Sequence, residues 1–140
     1  MELNKGEKMY TVNLDKDGFI LSISHTAHDS IHLDLEEMDM NHLTAYQLIG
    51  EKAILNNDKL AELLAEEEQK AKDTEIASLK KSLADSDYII AETFENVLAL
   101  NNPVTFISDF IKILVQFNSK YTDLIANRKI WRDRIEELSK

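Results

Sequence analysis

The chain of 140 residues has no cysteine, one proline (Pro103) and three glycines. Lack of cysteine removes disulfides, thiolate metal sites and cysteine nucleophiles together. Scarce glycine leaves little material for glycine-rich phosphate loops. Aromatic residues make up 7% and Trp131 is the single tryptophan, so a large aromatic-lined pocket is not expected. Cations are the minority: 16 Lys and Arg stand against 26 Asp and Glu, for a formal net charge of -10. That balance argues against nucleic acid as a partner, since phosphate binding relies on clustered Lys/Arg that release counterions. No apolar run approaches the roughly 20 residues of a membrane span, and the N-terminus lacks a signal-peptide core. Gly-x-Ser-x-Gly, His-Glu-x-x-His, Walker-type and EF-hand patterns are absent as well, which leaves no nameable route to catalysis. With 44% hydrophobic residues the chain is not disordered overall.

What is present changes period along the chain. In residues 9–24, Tyr10, Val12 and Leu14 alternate with Thr11 and Asn13. Asp15-Lys16-Asp17-Gly18 then supplies turn chemistry, and Phe19 to Ile23 is a β-prone run. This is a β-hairpin pattern. Ile31 to Leu35 is a short alternating run that suits a third strand. Ala45–Ile49 and Lys52–Asn56 flank Gly50-Glu51 and suggest a second hairpin, the alternative being a short helix from Leu43 to Ile49.

From Asn57 the pattern is helical, with Asn57 or Asp58 as the cap and Leu60, Leu63 and Leu64 on one face. Residues 66–75 are polar all round yet made of good helix formers. They read as a solvated helix supported by pairs such as Glu66–Lys70 and Glu68–Lys72. A heptad then runs through Ile76, Leu79, Leu83, Ser86, Ile90, Thr93, Val97 and Leu100, with Ser86 and Thr93 as its weak points. Asn101-Asn102-Pro103 stops the helix, and Pro103 suits a first helical position.

The last stretch places Ile107, Phe110, Leu114, Phe117, Tyr121, Leu124, Arg128, Trp131, Ile135 and Leu138 on alternating three- and four-residue steps. Asn118-Ser119 is a break point, with Ser119 as a cap. Phe106, Ile107, Phe110, Ile111, Leu114, Val115 and Phe117 nearly surround a helix, and a helix apolar on most faces must be buried. A helix from 58 to 100 would be roughly 60 Å long, which suits a subunit in an oligomer better than a monomeric globule.

Three clusters have site-like composition. His25, His28 and His32, with Asp29 and Asp34, have loose spacing for zinc, which wants three or four converging ligands. They read as solvated loop histidines. The acidic run Glu66-Glu67-Glu68 with Asp73 and Glu75 lies on a solvated face and lacks the desolvated carboxylate that acid–base chemistry needs. Arg128 falls on an otherwise apolar seam near Trp131 and is expected to pair across to Asp85 or Asp87, fixing register more than adding stability.

Taken in order, MYTVNLDKDGFI, DLEEMDMNHLTAYQLIGEKAILNNDKLAELLAEE, and LKKSLADSDYIIAETFENVLAL followed by YTDLIANRKIWRDRIEEL resemble a known type. The order is similar to small tail-fibre, baseplate or tail-accessory proteins of siphophages and prophages of Gram-positive bacteria. The resemblance implies a short β-rich head before a helical hairpin, whose arms carry the Ser86-Asp87-Tyr88 and Arg128-Lys129-Ile130-Trp131-Arg132 steps. Residues 101–120 are longer and more apolar than the connection so implied, which adds a third helix at about 104–117.

The expectation is an α+β fold with a β-rich head at 1–56 and a helical region at 57–140, its helices at about 58–100, 104–117 and 120–138. The resemblance implies a non-enzymatic tail component in the virion, made in the host cytoplasm. It would form dimers or trimers and dock on other phage tail proteins, with no cofactor or metal. The assembly residues expected are Ile76, Leu79, Leu83, Ile90, Val97, Phe110, Leu114, Phe117, Leu124, Trp131 and Ile135, with Asp87–Arg128 as register pair. The other readings are an acidic adaptor or inhibitor that binds a basic host protein by its charge, and a metal-dependent tip built on the histidines.

Overall fold

A computed structural model of the chain describes residues 7–24 and 31–140. The fold is α+β: small antiparallel sheets come first and two long helices follow. Two compact units, Met1–Gln69 and Lys70–Lys140, divide the chain, and the division falls inside the first long helix.

In the first unit, β1 (Glu7–Leu14) is the centre of a three-stranded sheet, between β2 (Ile20–Ser24) and β3 (Ile31–Asp34). Val12 faces Ile23 and Tyr10 faces Ile31, with a register irregularity at Asn13/Leu14. The β1–β2 turn forms because Asp15 acts as a piece of backbone. Its Oδ1 accepts from the amides of Asp17 (2.8 Å) and Phe19 (2.9 Å), while Gly18 takes φ +85°, open only to a residue without Cβ strain. The same turn is stitched to the next hairpin. The Leu48 amide donates to the Gly18 carbonyl (2.9 Å) and Gln47 Nε2 to the Asp17 carbonyl (2.8 Å).

That second hairpin pairs β4 (Tyr46–Ile49) with β5 (Lys52–Leu55) around Gly50-Glu51, Tyr46 facing Leu55 and Ile49 facing Lys52. Of the two alternatives for this region the hairpin is the one formed, and the helical turn that precedes it, the 3-10 helix Met40–Ala45, stops where β4 begins. Asp39 caps it by accepting from the Asn41 amide at 3.1 Å. Among the described residues of the unit, Ile20, Leu33, Ala45 and Tyr46 are the buried hydrophobic ones. Tyr46 also satisfies its polar end, its hydroxyl accepting from the Asp39 amide at 2.8 Å.

Helix α1 spans Asn57–Leu98. Its cap is Asn56, one residue before the pair expected from sequence. Asn56 Oδ1 accepts from the Lys59 amide (2.9 Å), the third helical position, which an N-cap side chain reaches. Residues 64–71 are all exposed, as a solvated stretch requires. The helix ends two residues earlier than expected. The Leu100 amide already bonds three residues back to the Val97 carbonyl, at 3.1 Å. Pro103 lies in the connection and does not open the next helix. Asn102 Oδ1 accepts from the Val104 amide (3.0 Å), and α2 begins at Phe106.

The segments expected as separate helices at 104–117 and 120–138 make up α2, Phe106–Leu138, two helical pieces that meet at a kink. The kink falls at Tyr121 (φ -121°, ψ 24°), two residues beyond the Asn118-Ser119 break anticipated from the sequence. In the second unit the two helices run antiparallel, since Glu75 meets Arg134 while Asp87, further along α1, meets the earlier Arg128.

Candidate self-association surface

Inside the second unit the helices meet along a seam of half-buried residues. On α1 these include Ile76, Leu79, Leu83, Ile89, Thr93 and Val97. On α2 they include Phe110, Ile113, Phe117, Tyr121, Leu124, Trp131 and Ile135. Nine of the eleven residues expected to assemble the protein are half-buried within the single chain. The two exceptions are Ile90 and Leu114, which are exposed, and their places are taken by Ile89 and Ile113. At these two levels the half-buried residue is the one on the grooved side, since Ile89 and Ile113 both line the groove.

The only buried residues in this unit are polar, Ser86 and Arg128. Arg128 is 7% exposed. It donates from Nη1 to the Leu83 carbonyl (2.8 Å) and to Ser86 Oγ, and from Nη2 to Asp87 Oδ1 (2.7 Å). Of the two candidate partners it takes Asp87, while Asp85 pairs with Lys81 in its own helix. Ser86 closes the layer by donating to the carbonyls of Leu83 (2.9 Å) and Ser82 (3.1 Å). A second inter-helix contact is bidentate. Arg134 donates to both Glu75 oxygens at 2.7 and 3.2 Å, and this hydrogen bonding holds the Glu75 carboxyl below its usual range.

What the seam leaves outside is extensive. Phe94 is 61% exposed, Leu98 67% and Ile107 72%, and Tyr88, Val104, Ile111 and Val115 are exposed with them. The helix at 106–117 is apolar on most faces, yet its own chain covers only part of it. On one side of the seam lies a groove of about 380 Å³ whose lining includes Glu92, Asn96, Gln116, Lys120, Phe117 and Tyr121. It mixes polar and aromatic groups with no cluster of carboxylates or histidines.

His25 and His28 lie outside the described residues, as does the His32 side chain, whose backbone pairs with Met9 in the sheet. Among the described residues no group of three or more His, Asp or Glu side chains could hold a metal ion. The acidic run sends one member to a contact that sequence reading missed. Glu67 Oε2 lies 3.2 Å from His42 Nε2, and Asp39 Oδ2 lies 2.6 Å from His42 Nδ1. With a carboxylate on each ring nitrogen, only the imidazolium can donate to both. The Asp39 hydrogen bond first, and the Glu67 bond second, push the His42 pKa above its ordinary value. The Asp39-x-x-His42 spacing on a short helical turn was the available signal, and Glu67, 25 residues away, carried none.

No helix among the described residues is long and apolar enough to cross a membrane. Comparison with known proteins returns nothing: no family model, no curated protein and no solved structure matches the chain.

Proposed function

We propose that this is a non-enzymatic structural or assembly protein that self-associates through its C-terminal helices. It serves in a phage tail, where its β-rich head docks on neighbouring tail proteins. One observation carries the self-association: the helical unit contains no fully buried apolar side chain, while a series of large apolar residues stands in solvent. Two antiparallel helices with a half-wet seam and a polar buried layer lack the core that stabilises a helical bundle. Contiguous exposed apolar surface of this extent marks an interaction site.

The tail assignment rests on the sequence resemblance. The head adds exposed Leu21, Ile49 and Ile54 as contact material for a neighbouring protein. Sedimentation velocity over a hundredfold concentration range tests the first part. A mass above one chain is expected, and a constant monomer refutes it. Fractionation of phage lysates tests the second. The protein is expected to travel with tail structures, and its presence only in the free soluble pool would end the assignment.

A further inference from the structure

We infer that the surface at the connection end of the helical unit, formed by Ile90, Phe94 and Leu98 of α1 with Ile107, Ile111 and Leu114 of α2, pairs with the same surface of a second copy. This rests on the self-association reading and specifies its partner, face and symmetry. The six residues are exposed, three on each helix, and follow i, i+4 or i+3 steps that place each triplet on one stripe.

Both stripes fall on the same side of the unit. The groove fixes the opposite side, because Glu92 and Asn96 of α1 and Gln116 and Lys120 of α2 line it together. At 100° per residue, Phe94 points about 160° away from Glu92 and Asn96, Leu98 about 120–160° away from them, and Ile111 and Leu114 about 140–160° away from Gln116. The unit therefore has one polar, grooved side and one apolar side.

The occupant follows from area and composition. The six exposed side chains offer on the order of 600–800 Å² per copy, close to the roughly 800 Å² per partner of a standard interface. The surface is aliphatic and aromatic, and it holds none of the charged residues that a basic or acidic partner would need for recognition. A self-complementary apolar face is what an isologous two-fold contact requires. Two such faces in contact turn a pair of two-helix layers into a four-helix arrangement with an apolar centre, the missing core of each unit.

The test uses the full chain and three variants. Wild type is expected at twice the 16.1 kDa of one chain. Phe94→Asp and Ile111→Asp are expected to fall to a single chain with helical circular dichroism retained, because both positions are exposed within the chain. Gln116→Asp, on the grooved side, is expected to keep the doubled mass. A wild-type monomer at every concentration overturns both this inference and the self-association reading. A wild-type oligomer unmoved by both Asp variants, or one of three chains, overturns the pairing and leaves self-association standing.

If the Asp variants lose helicity, single-cysteine reporters decide in a chain that has no cysteine of its own. Ile111→Cys should be joined to a dimer by a short bis-maleimide and Gln116→Cys should not. Equal joining of the two refutes the face.

Discussion

Replacing Arg128 discriminates between two accounts of the buried polar layer. In the first, the Asp87–Arg128 charge pair holds the helices in register. In the second, Arg128 is held chiefly by the Leu83 carbonyl and Ser86 Oγ, with Asp87 as an outer partner. The geometry favours the second, since the Asp87 side chain is 65% exposed and rehydrates freely when its partner is lost. Asp87→Ala should therefore behave like the loss of a surface pair, about 0.5–1 kcal/mol. Arg128→Ala removes a charged donor from two half-buried acceptors and opens a gap beside the seam, for about 2–3 kcal/mol. That is below the roughly 3–5 kcal/mol of a broken buried pair, because no charge is left stranded. Arg128→Leu fills the gap and orphans no donor, since Ser86 Oγ still donates to the Leu83 and Ser82 carbonyls. Its cost should stay under about 1 kcal/mol.

Urea unfolding followed by Trp131 fluorescence reports on this unit, since Trp131 lies one turn beyond Arg128 on the same seam. All variants need the same protein concentration, because association adds to stability by mass action. The expected order of loss is Arg128→Ala, then Asp87→Ala and Arg128→Leu close together. If Asp87→Ala costs as much as Arg128→Ala, the carboxylate is the principal partner and the assignment of the outer role to it is wrong.

Three further outcomes are expected. Ile20 is the largest fully buried side chain among the described residues, so Ile20→Ala should destabilise the head by about 2–5 kcal/mol, read as loss of dispersed head resonances in NMR spectra. Asn56→Ala removes the cap of α1 and should cost about 1 kcal/mol in thermal unfolding; an unchanged midpoint would show that the cap contributes nothing. The His42 contact should be pH-dependent with a definite sign. The raised His42 pKa means that its stabilisation is full below the unfolded histidine value and fades as pH climbs through the higher folded value. The Asp39 pKa is lowered, first by that same hydrogen bond, so this side of the contact is lost as pH falls through the carboxylate range. Head stability in wild type should thus decline from mildly acidic to mildly alkaline pH, and His42→Gln should flatten that decline. A wild-type profile identical to that of His42→Gln would remove the contact from consideration.

Local patterns that act over a few residues were readable directly. The alternation of Tyr10, Val12 and Leu14 and the Asp15–Gly18 turn specify β1 and β2, because strand period and turn chemistry both act within a dozen residues. The change to a helical period near residue 57 is equally plain. Three adjacent residues, Asn56, Asn57 and Asp58, are all good caps, so composition alone could not choose among them. The exact place of the kink in α2 was hidden for a related reason. Asn118 and Ser119 are tolerable inside a helix, and the departure from helical angles sits at Tyr121, a residue with no sequence signature of a break. The Arg128 layer was half legible. A cation on an apolar stripe demands a partner, but the Leu83 carbonyl that accepts from it has no side-chain identity to read. His42 was missed because its second carboxylate comes from another element.

The slip from Ile90 to Ile89 and from Leu114 to Ile113 explains why the chain holds two apolar stripes and covers only one. On both helices the inward residue precedes the expected one, so near the connection the seam turns toward the grooved side. With Ile89 and Ile113 filling the seam at that level, Ile90, Phe94, Ile107 and Leu114 are left outside, where further helices can cover them. At the far end, where Arg128 and Arg134 fix the pair by polar contacts, the exposed apolar residues are fewer, Ile125 and Ile130. The apolar surplus is therefore local to the connection end, and association should depend on substitutions there while those near Trp131 act on the stability of the single chain.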